Sequence, residues 1–361
     1  MSNLKFQAGI AVPPGDTLKE ILDDRNITQK ELALRLGVTA KHVNKIINGT
    51  ASISPEIALK LESVLGITAR FWNNLEMKYQ ETKARLKEIP QVEAEVSILN
   101  KLPYDEAALF GWFPQTTDSR EKVAHLRTFF RLASLENLEL VQDVCFRKSE
   151  VFKANDYAVS LWLNQAENQA LEIETEYYSS SKLKEMLLGL KKLTNRPLKA
   201  SGTNLVELCA SVGIALVFIP NLTGTHVNGA TKWLENKKVM VAMSTKGVYE
   251  DIFWFSFFHE IGHVLQENKL VTFIDVEDTV GLNDLEKDAD KFSSDFLIPK
   301  EQYKEFISDL GYKDVAKIRQ FAEKIGVHIG ILIGRLLHDK FILYNSPEYK
   351  SLERLRRKYK I

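Results

Sequence analysis

Hydrophobic spacing divides the 361 residues into three regions of different character. From Pro14 to about Gln80, apolar residues recur at helical spacing in short runs. Asp16 or Thr17 can cap a helix over Leu18–Asp24. Thr28 and Glu31 have the form of a capping box for a helix carrying Leu32, Ala33 and Leu36, ended by Gly37. Thr39 caps the next helix, with Val43, Ile46 and Ile47 inward, and Asn48-Gly49 ends it. Ile53–Leu65 is a fourth helix, and Ile67–Tyr79 leads into a fifth. From Glu81 to Lys199 the pattern predicts a helical module. It begins with a charged linker around Pro90 and continues over Ser119–Ala133, Leu135–Phe146, Asp156–Ala166 and Lys182–Thr194, with an aromatic loop at Phe110–Pro114. Beyond Asn195-Arg196-Pro197 strand character enters at Ile214–Ile219 and Lys238–Met243. Helical patterns surround them at Gly202–Val212, Asp284–Pro299, Tyr312–Ile325 and Ile329–Leu337.

One helical stretch, Asp251–Glu267, breaks the amphipathic rule. Phe253-Trp254-Phe255-Ser256-Phe257-Phe258 makes it apolar on nearly all sides, which marks a buried helix. Yet it carries His259, Glu260 and His263, which are costly to bury unless something satisfies them. Four residues apart, the two histidines lie one turn above each other on one face. Two imidazoles so placed can share a Zn²⁺, and Glu260, about 100° round the helix, can reach a water at the metal without being a ligand. Such a site needs a third protein ligand. On the acidic helix Asp284–Pro299, Leu285, Ala289, Phe292 and Phe296 define an apolar face. Asp288 lies about 65° from its middle, nearer than Asp284, Glu286, Asp290 or Asp295, and is therefore the expected ligand. The strand at Lys238–Met243, just before the histidine helix, is a candidate to pair with an extended substrate. His226, in a Gly- and Asn-containing loop, is a candidate oxyanion stabiliser, with a plain loop histidine as the simpler reading.

Charge adds a second site. Lys+Arg and Asp+Glu both number 48, so any nucleic-acid contact must come from a local patch. Between Gly37 and Thr50 there are lysines and no acids. Helix, tight turn with glycine, and helix form the helix-turn-helix layout. Two cysteines, Cys145 and Cys209, argue for a reducing cytoplasm and exclude a disulfide framework. Met1–Pro14 lacks a signal-peptide pattern, and no apolar run approaches membrane-spanning length. The tail Arg354–Lys360, RLRRKYK, is basic and can touch DNA backbone, a nucleotide or nothing at all.

ITQKELALRLGVTAKHVNKIINGTASISPEIALKLESVLGITARFW resembles the Xre/Cro repressor family, and the ending FWNNLEMKYQ resembles its HigA-type antitoxin branch. That resemblance makes Thr39–Asn48 the recognition helix. Thr39, Ala40, Lys41, Asn44 and Lys45 then face DNA with His42 at the flank, and Thr28 and Gln29 sit where such folds touch phosphate. It also implies a double-stranded DNA operator and a homodimer. FWFSFFHEIGHVL and EKDADKFSSDFLIP resemble the ImmA/IrrE family of metallopeptidases, as do GIALVFIPNL, NGATKWLENKKVMVAMSTK and IGVHIGILIGRLLHDKFI. This implies Zn²⁺ on His259, His263 and Asp288, Glu260 as the catalytic base, and a protein substrate. The family usually carries Glu where this chain has Asp288; either the helix sits closer, or zinc binds more weakly, or Glu286 substitutes. The expected architecture is multidomain and mainly α with an α+β C-terminal part. It comprises a helix-turn-helix bundle (1–80), a helical middle module (81–199), a zincin-like peptidase domain with a small sheet (200–345) and a basic tail (346–361). Two functions compete: a DNA-binding regulator whose peptidase cleaves a regulatory protein, and a non-enzymatic antitoxin and autorepressor whose peptidase-like domain binds a partner or cognate toxin.

Overall fold

A computed structural model describes residues 9–140, 157–235, 237–245, 249–269, 271–276 and 284–359. The chain divides into two compact units, Met1–Val96 and Ser97–Ile361. In the first, α1 (Pro14–Asp24), α2 (Gln29–Leu36), α3 (Ala40–Ile47), α4 (Pro55–Leu65) and the start of α5 (Ala69–Leu99) enclose one core. Leu18, Leu32, Val43, Leu61 and Trp72 lie at its centre. α1 starts earlier than Asp16 or Thr17 would allow, because Pro14 takes the first helical position, where its missing N–H costs nothing. Thr28 Oγ accepts from Glu31 N at 3.2 Å, but the Glu31 carboxylate pairs with Arg35 instead of turning back. The capping box therefore closes on one side only. Gly37 takes φ 68°, ending α2, and Thr39 accepts from His42 N at 3.2 Å to start α3. The charged stretch around Pro90 continues α5, which runs for 31 residues in all.

In the second unit α6 (Tyr104–Leu109) and α7 (Ser119–Phe130) hold the aromatic loop: Tyr104 stacks on Phe113 at 4.8 Å, and its hydroxyl lies 2.7 Å from His125 Nδ1. Of the helix expected over Leu135–Phe146, residues 141–146 lie outside the described residues, as does Cys145. α8 (Tyr157–Glu172), α9 (Ser180–Leu193) and α10 (Leu198–Ala210) lead to β1 (Ile214–Ile219), β2 (Val227–Glu235) and β3 (Lys238–Ser244). Then come α11 (Glu250–Leu265), β4 (Phe273–Val276), α12 (Asp284–Leu297), α13 (Lys300–Ser308), α14 (Val315–Ile325), α15 (Ile329–His338) and α16 (Pro347–Leu352).

The sheet order is β1-β3-β2-β4, with β1 and β3 parallel and the other pairs antiparallel. β3 is thus flanked on both sides, and the expectation that it pairs with substrate fails because its backbone groups are already taken. Alternation sorts its residues. Val239, Val241 and Met243 join Phe253, Trp254, Phe257 and Phe258 of α11 in the main core. Lys232, paired in register with Met240, points to the opposite face and meets Glu167 of α8 at 2.6 Å. The sheet is therefore covered on both faces, which explains the apolar run Val239–Met243 of β3. Among the described residues no helix is long and apolar enough to cross a membrane.

The basic tail is not a free cationic arm. Arg356 is buried and ion-paired with Asp251 at the start of α11, and Arg357 donates to the Asn195 carbonyl at 2.8 Å.

A Cβ added at Gly15 would collide with the backbone carbonyls of Ile46 and Ile47, so α1 and α3 touch without a side chain between them. Gly15→Val should destabilise the first unit by about 1–3 kcal/mol, read as faster hydrogen exchange across α1 and α3. Unchanged protection would show that the two helices are not in such contact.

Candidate metal centre

α11 brings His259 and His263 onto one face, both buried, as their spacing requires. Their Nε2 atoms lie 2.9 Å apart, and each is 3.2 Å from Glu286 Oε2 on α12. His259 Nδ1 faces Asp290 Oδ1 at 2.9 Å. His263 Nδ1 faces Gln266 Oε1 at 3.1 Å, and that amide is oriented because its Nε2 donates to the Leu285 carbonyl at 2.6 Å. Both Nδ1 atoms thus meet acceptors and carry the proton, so in the neutral rings both Nε2 atoms present lone pairs. With both rings neutral, two imidazole lone pairs and a carboxylate oxygen converge on one point. Such a donor set fits a divalent cation, with Asp290 and Gln266 fixing the ring tautomers from behind. Among the described residues His259, His263 and Glu286 are the group whose ligand atoms come close enough to hold an ion.

The electrostatics agree. Burial disfavours a charge on His259, yet Asp290 and Glu286, helped by Glu260 and Asp275, drive its pKa up to about 11. Burial likewise opposes ionisation of Glu286, but the two histidines hold it down at about 2. The pocket is built to receive positive charge. Phe273 of β4 stacks on His263 at 3.9 Å and forms one wall.

Glu260 is fully buried. Thr231 Oγ1 of β2 donates to its Oε2 at 2.6 Å, while Oε1 has no hydrogen-bond partner among the described residues. A Cβ at Gly229 would stand 2.7 Å from Oε1, so β2 admits this carboxylate only through a glycine. Burial pushes the Glu260 pKa up to about 8, with the neighbouring His259 pulling against it. A carboxyl tuned there can both take and return a proton near neutral pH.

Asp288 is exposed and outside this group, which corrects the helical-face argument. Asp288 and Glu286 flank the apolar stripe of α12 on opposite sides. What faces α11 is the line of Glu286, Ala289 and Ser293: Ser293 Oγ donates to the Phe255 carbonyl at 2.9 Å, and Ala289 abuts Gly262. Averaging over the large side chains Phe292 and Phe296 aimed the helix to the wrong side; the small buried residues mark the contact. His226 is exposed at the head of β2 with φ 44° and does not join the converging groups. Asp275, Asp290 and Gln266 were not singled out by the sequence, since single polar residues carry no spacing signal.

In the first unit Lys41, Asn44 and Lys45, with Thr28, Thr39 and Ala40, are exposed, and Gln29 and His42 are partly so. Asn44 Nδ2 donates to Gln29 Oε1 at 3.3 Å, and Asn48 Nδ2 donates to Asn44 Oδ1 at 2.9 Å. An amide row thus crosses from α2 to the end of α3.

The first unit has the fold of a helix-turn-helix domain, and the second carries the buried histidine helix against a four-stranded mixed sheet. Residues 18–72 match the helix-turn-helix family and residues 216–337 the IrrE N-terminal-like domain of peptidases. The chain belongs to the Xre-type helix-turn-helix family that includes the HigA antitoxins, here joined to an IrrE N-terminal-like domain. It is 31% identical over 71 residues to the uncharacterized HTH-type transcriptional regulator YddM of Escherichia coli, covering 20% of this chain and 76% of that protein. It is 41% identical over 66 residues to antitoxin HigA-1 of Vibrio cholerae, covering 18% and 62%. Solved relatives include Pseudomonas aeruginosa antitoxin HigA with the higBA promoter, 32% identical, TM-score 0.23, covering 24% of this chain and 95% of that one. Another is PA4674 of the same species in complex with its operator DNA, 31% identical, TM-score 0.23, covering 24% and 96%.

Removing Asp290 takes away only the partner of His259 Nδ1, so Asp290→Ala should weaken binding of a divalent cation, assayed with added zinc, roughly 10–100-fold. Glu286→Ala should weaken it more, and Asp288→Ala should leave it unchanged, by competition with a chromophoric chelator. Equal losses for Glu286→Ala and Asp288→Ala would contradict the geometry.

Proposed function

We propose that this chain is a DNA-binding regulator carrying a zinc-dependent peptidase that cleaves a regulatory protein. The observation that carries it is the convergence of His259 Nε2, His263 Nε2 and Glu286 Oε2 next to the buried carboxylate of Glu260. His259, His263 and Glu286 would hold Zn²⁺. When bound, the metal would supply Lewis-acid polarisation and lower the pKa of water toward 7. Thr231 holds one oxygen of Glu260, leaving the other to take a proton from the attacking water and return it to the leaving amine. Phe273 fixes the His263 ring and keeps bulk water from that side. An extended substrate would lie along β4, whose outer edge has no strand partner among the described residues.

The first unit would read a two-fold operator as a homodimer. The amide row Gln29–Asn44–Asn48 holds Asn44 toward the exposed face, where it can pair with adenine, while Lys41 and Lys45 meet phosphate or guanine. The operator complex of the Pseudomonas relative supports this reading. A second reading is favoured by the HigA-1 likeness: an antitoxin and autorepressor whose C-terminal domain is a binding or sensing scaffold.

Glu260→Gln separates the two. On the peptidase reading it abolishes cleavage of the substrate trapped by that variant and keeps zinc, measured by mass spectrometry. A wild-type chain that purifies metal-free, even after zinc addition, yet binds its own promoter would leave only the scaffold reading. For DNA, the full chain should select a two-fold sequence from a random duplex library. Asn44→Ala should cost about 1–3 kcal/mol of discrimination, and Lys45→Ala should weaken all sequences alike and lower the salt slope by about one. Absence of any selected sequence would refute the operator role.

A further inference from the structure

The histidine helix is held at its other end by residues 349–359. Arg356 is 4% exposed and grips Asp251, 3% exposed, through two bonds, Nη2 to Oδ2 at 2.7 Å and Nε to Oδ1 at 3.1 Å. Its Nη1 donates to the Tyr349 hydroxyl at 3.0 Å, and the guanidinium lies 3.8 Å from the Tyr249 ring centroid. The fork is thus met by a carboxylate, a hydroxyl and an aromatic face, a fully furnished arginine pocket. α15 makes room for it: a Cβ at Gly334 would collide with Asp251 Oδ2, and one at Gly330 would stand 3.5 Å from Arg356 Cα. The backbone joins in, with a bridge between Tyr249 and Lys358 and Glu250 N donating to Arg357 O at 2.9 Å. Tyr359 packs edge-on against Phe253 of α11 at 5.9 Å.

The tail partners in these contacts, Tyr349 and Arg356–Tyr359, lie beyond residue 337, where the match to the IrrE N-terminal-like domain ends. Asp251 is two turns from His259 on one rigid helix, about 12 Å at 1.5 Å per residue. A buried carboxylate that loses its guanidinium is an uncompensated charge at the start of that helix.

We propose that the groove between α11 and α15 is an arginine-peptide binding site, filled in cis by residues 354–359, and that this strap makes the order of the histidine helix conditional on its being seated there. Trimming or displacing the tail then loosens the metal-bearing face without touching it. Arg354 and Lys358 are exposed on either side of the buried Arg356, so the strap is open to attack while its anchor is sheltered.

The test reads backbone protection of α11, not peptide cleavage, so it stands or falls separately from the proposed peptidase. A chain ending at Glu353 should exchange α11 amides at least about tenfold faster than the full chain. A synthetic peptide of residues 354–361 added in trans should restore protection, and the same peptide with Arg356→Gln should not. Should the shortened chain fail to fold, full-length Arg356→Gln, Asp251→Asn and the double variant replace it; the double variant should then be no worse than the more damaged single one. Protection within about twofold of wild type in both the shortened chain and Arg356→Gln overturns the proposal. Equal rescue by the Gln peptide, or simple addition of the two single effects, does so as well.

Discussion

α11 has almost no solvent face, so its polar groups depend on the neighbouring elements. The surrounding elements are shaped by that demand. β2 offers Gly229 where Glu260 presses against it, α15 offers Gly334 where Asp251 does, and α11's own Gly262 lets α12 close in through Ala289. At each place a side chain is missing so that a carboxylate or a helix backbone can approach. The aromatic run Phe253–Phe258 supplies the burial that makes the demand severe, since apolar packing on most sides leaves few polar partners within reach.

The two ends of the helix resolve it differently. At the N-terminal end the acid Asp251 meets Arg356, and the charges balance within the chain. At the C-terminal end Glu260, Asp275, Glu286 and Asp290 crowd round two imidazoles whose Nε2 atoms lie 2.9 Å apart. Pulling His259 up to about 11 is the response of a site short of one positive charge. A structural ion pair would have supplied that charge from an arginine or lysine, as it does at Asp251. Leaving it out is what distinguishes a binding site from a brace.

Sequence periodicity revealed these parts unevenly. The helix-turn-helix was legible almost to its caps, because Thr28, Gly37 and Thr39 act on backbone atoms within three or four residues of themselves. His259 and His263 were legible for the same reason: a four-residue spacing fixes a shared face whatever the rest of the protein does. β2 and β4 were not. β2 mixes glycine, threonine and lysine because one face meets Glu260 and the other Glu167, and β4 has only four residues. The tail looked like a solvated cationic run because nothing local tells that Arg356 meets a residue 105 positions earlier.

The third carboxylate is the most instructive case, because a local rule was applied correctly to the wrong reference. Hydrophobic mass locates the side of a helix that meets a core, but α12 meets two things: the aromatic cluster through Phe296 and the backbone of α11 through Ala289. Close backbone approach selects small residues, so the side nearest the histidines is the least hydrophobic part of the buried surface. Glu286, one turn before Ala289, lies on that side, and Asp288 lies across the stripe from it. The apparent shortening of a ligand by one methylene therefore has no bearing on the site. A full-length glutamate reaches both Nε2 atoms equally, at 3.2 Å each, from a helix held close by the contact at Gly262. Where a buried helix carries polar ligands, the small residues of its partner are the better guide to register.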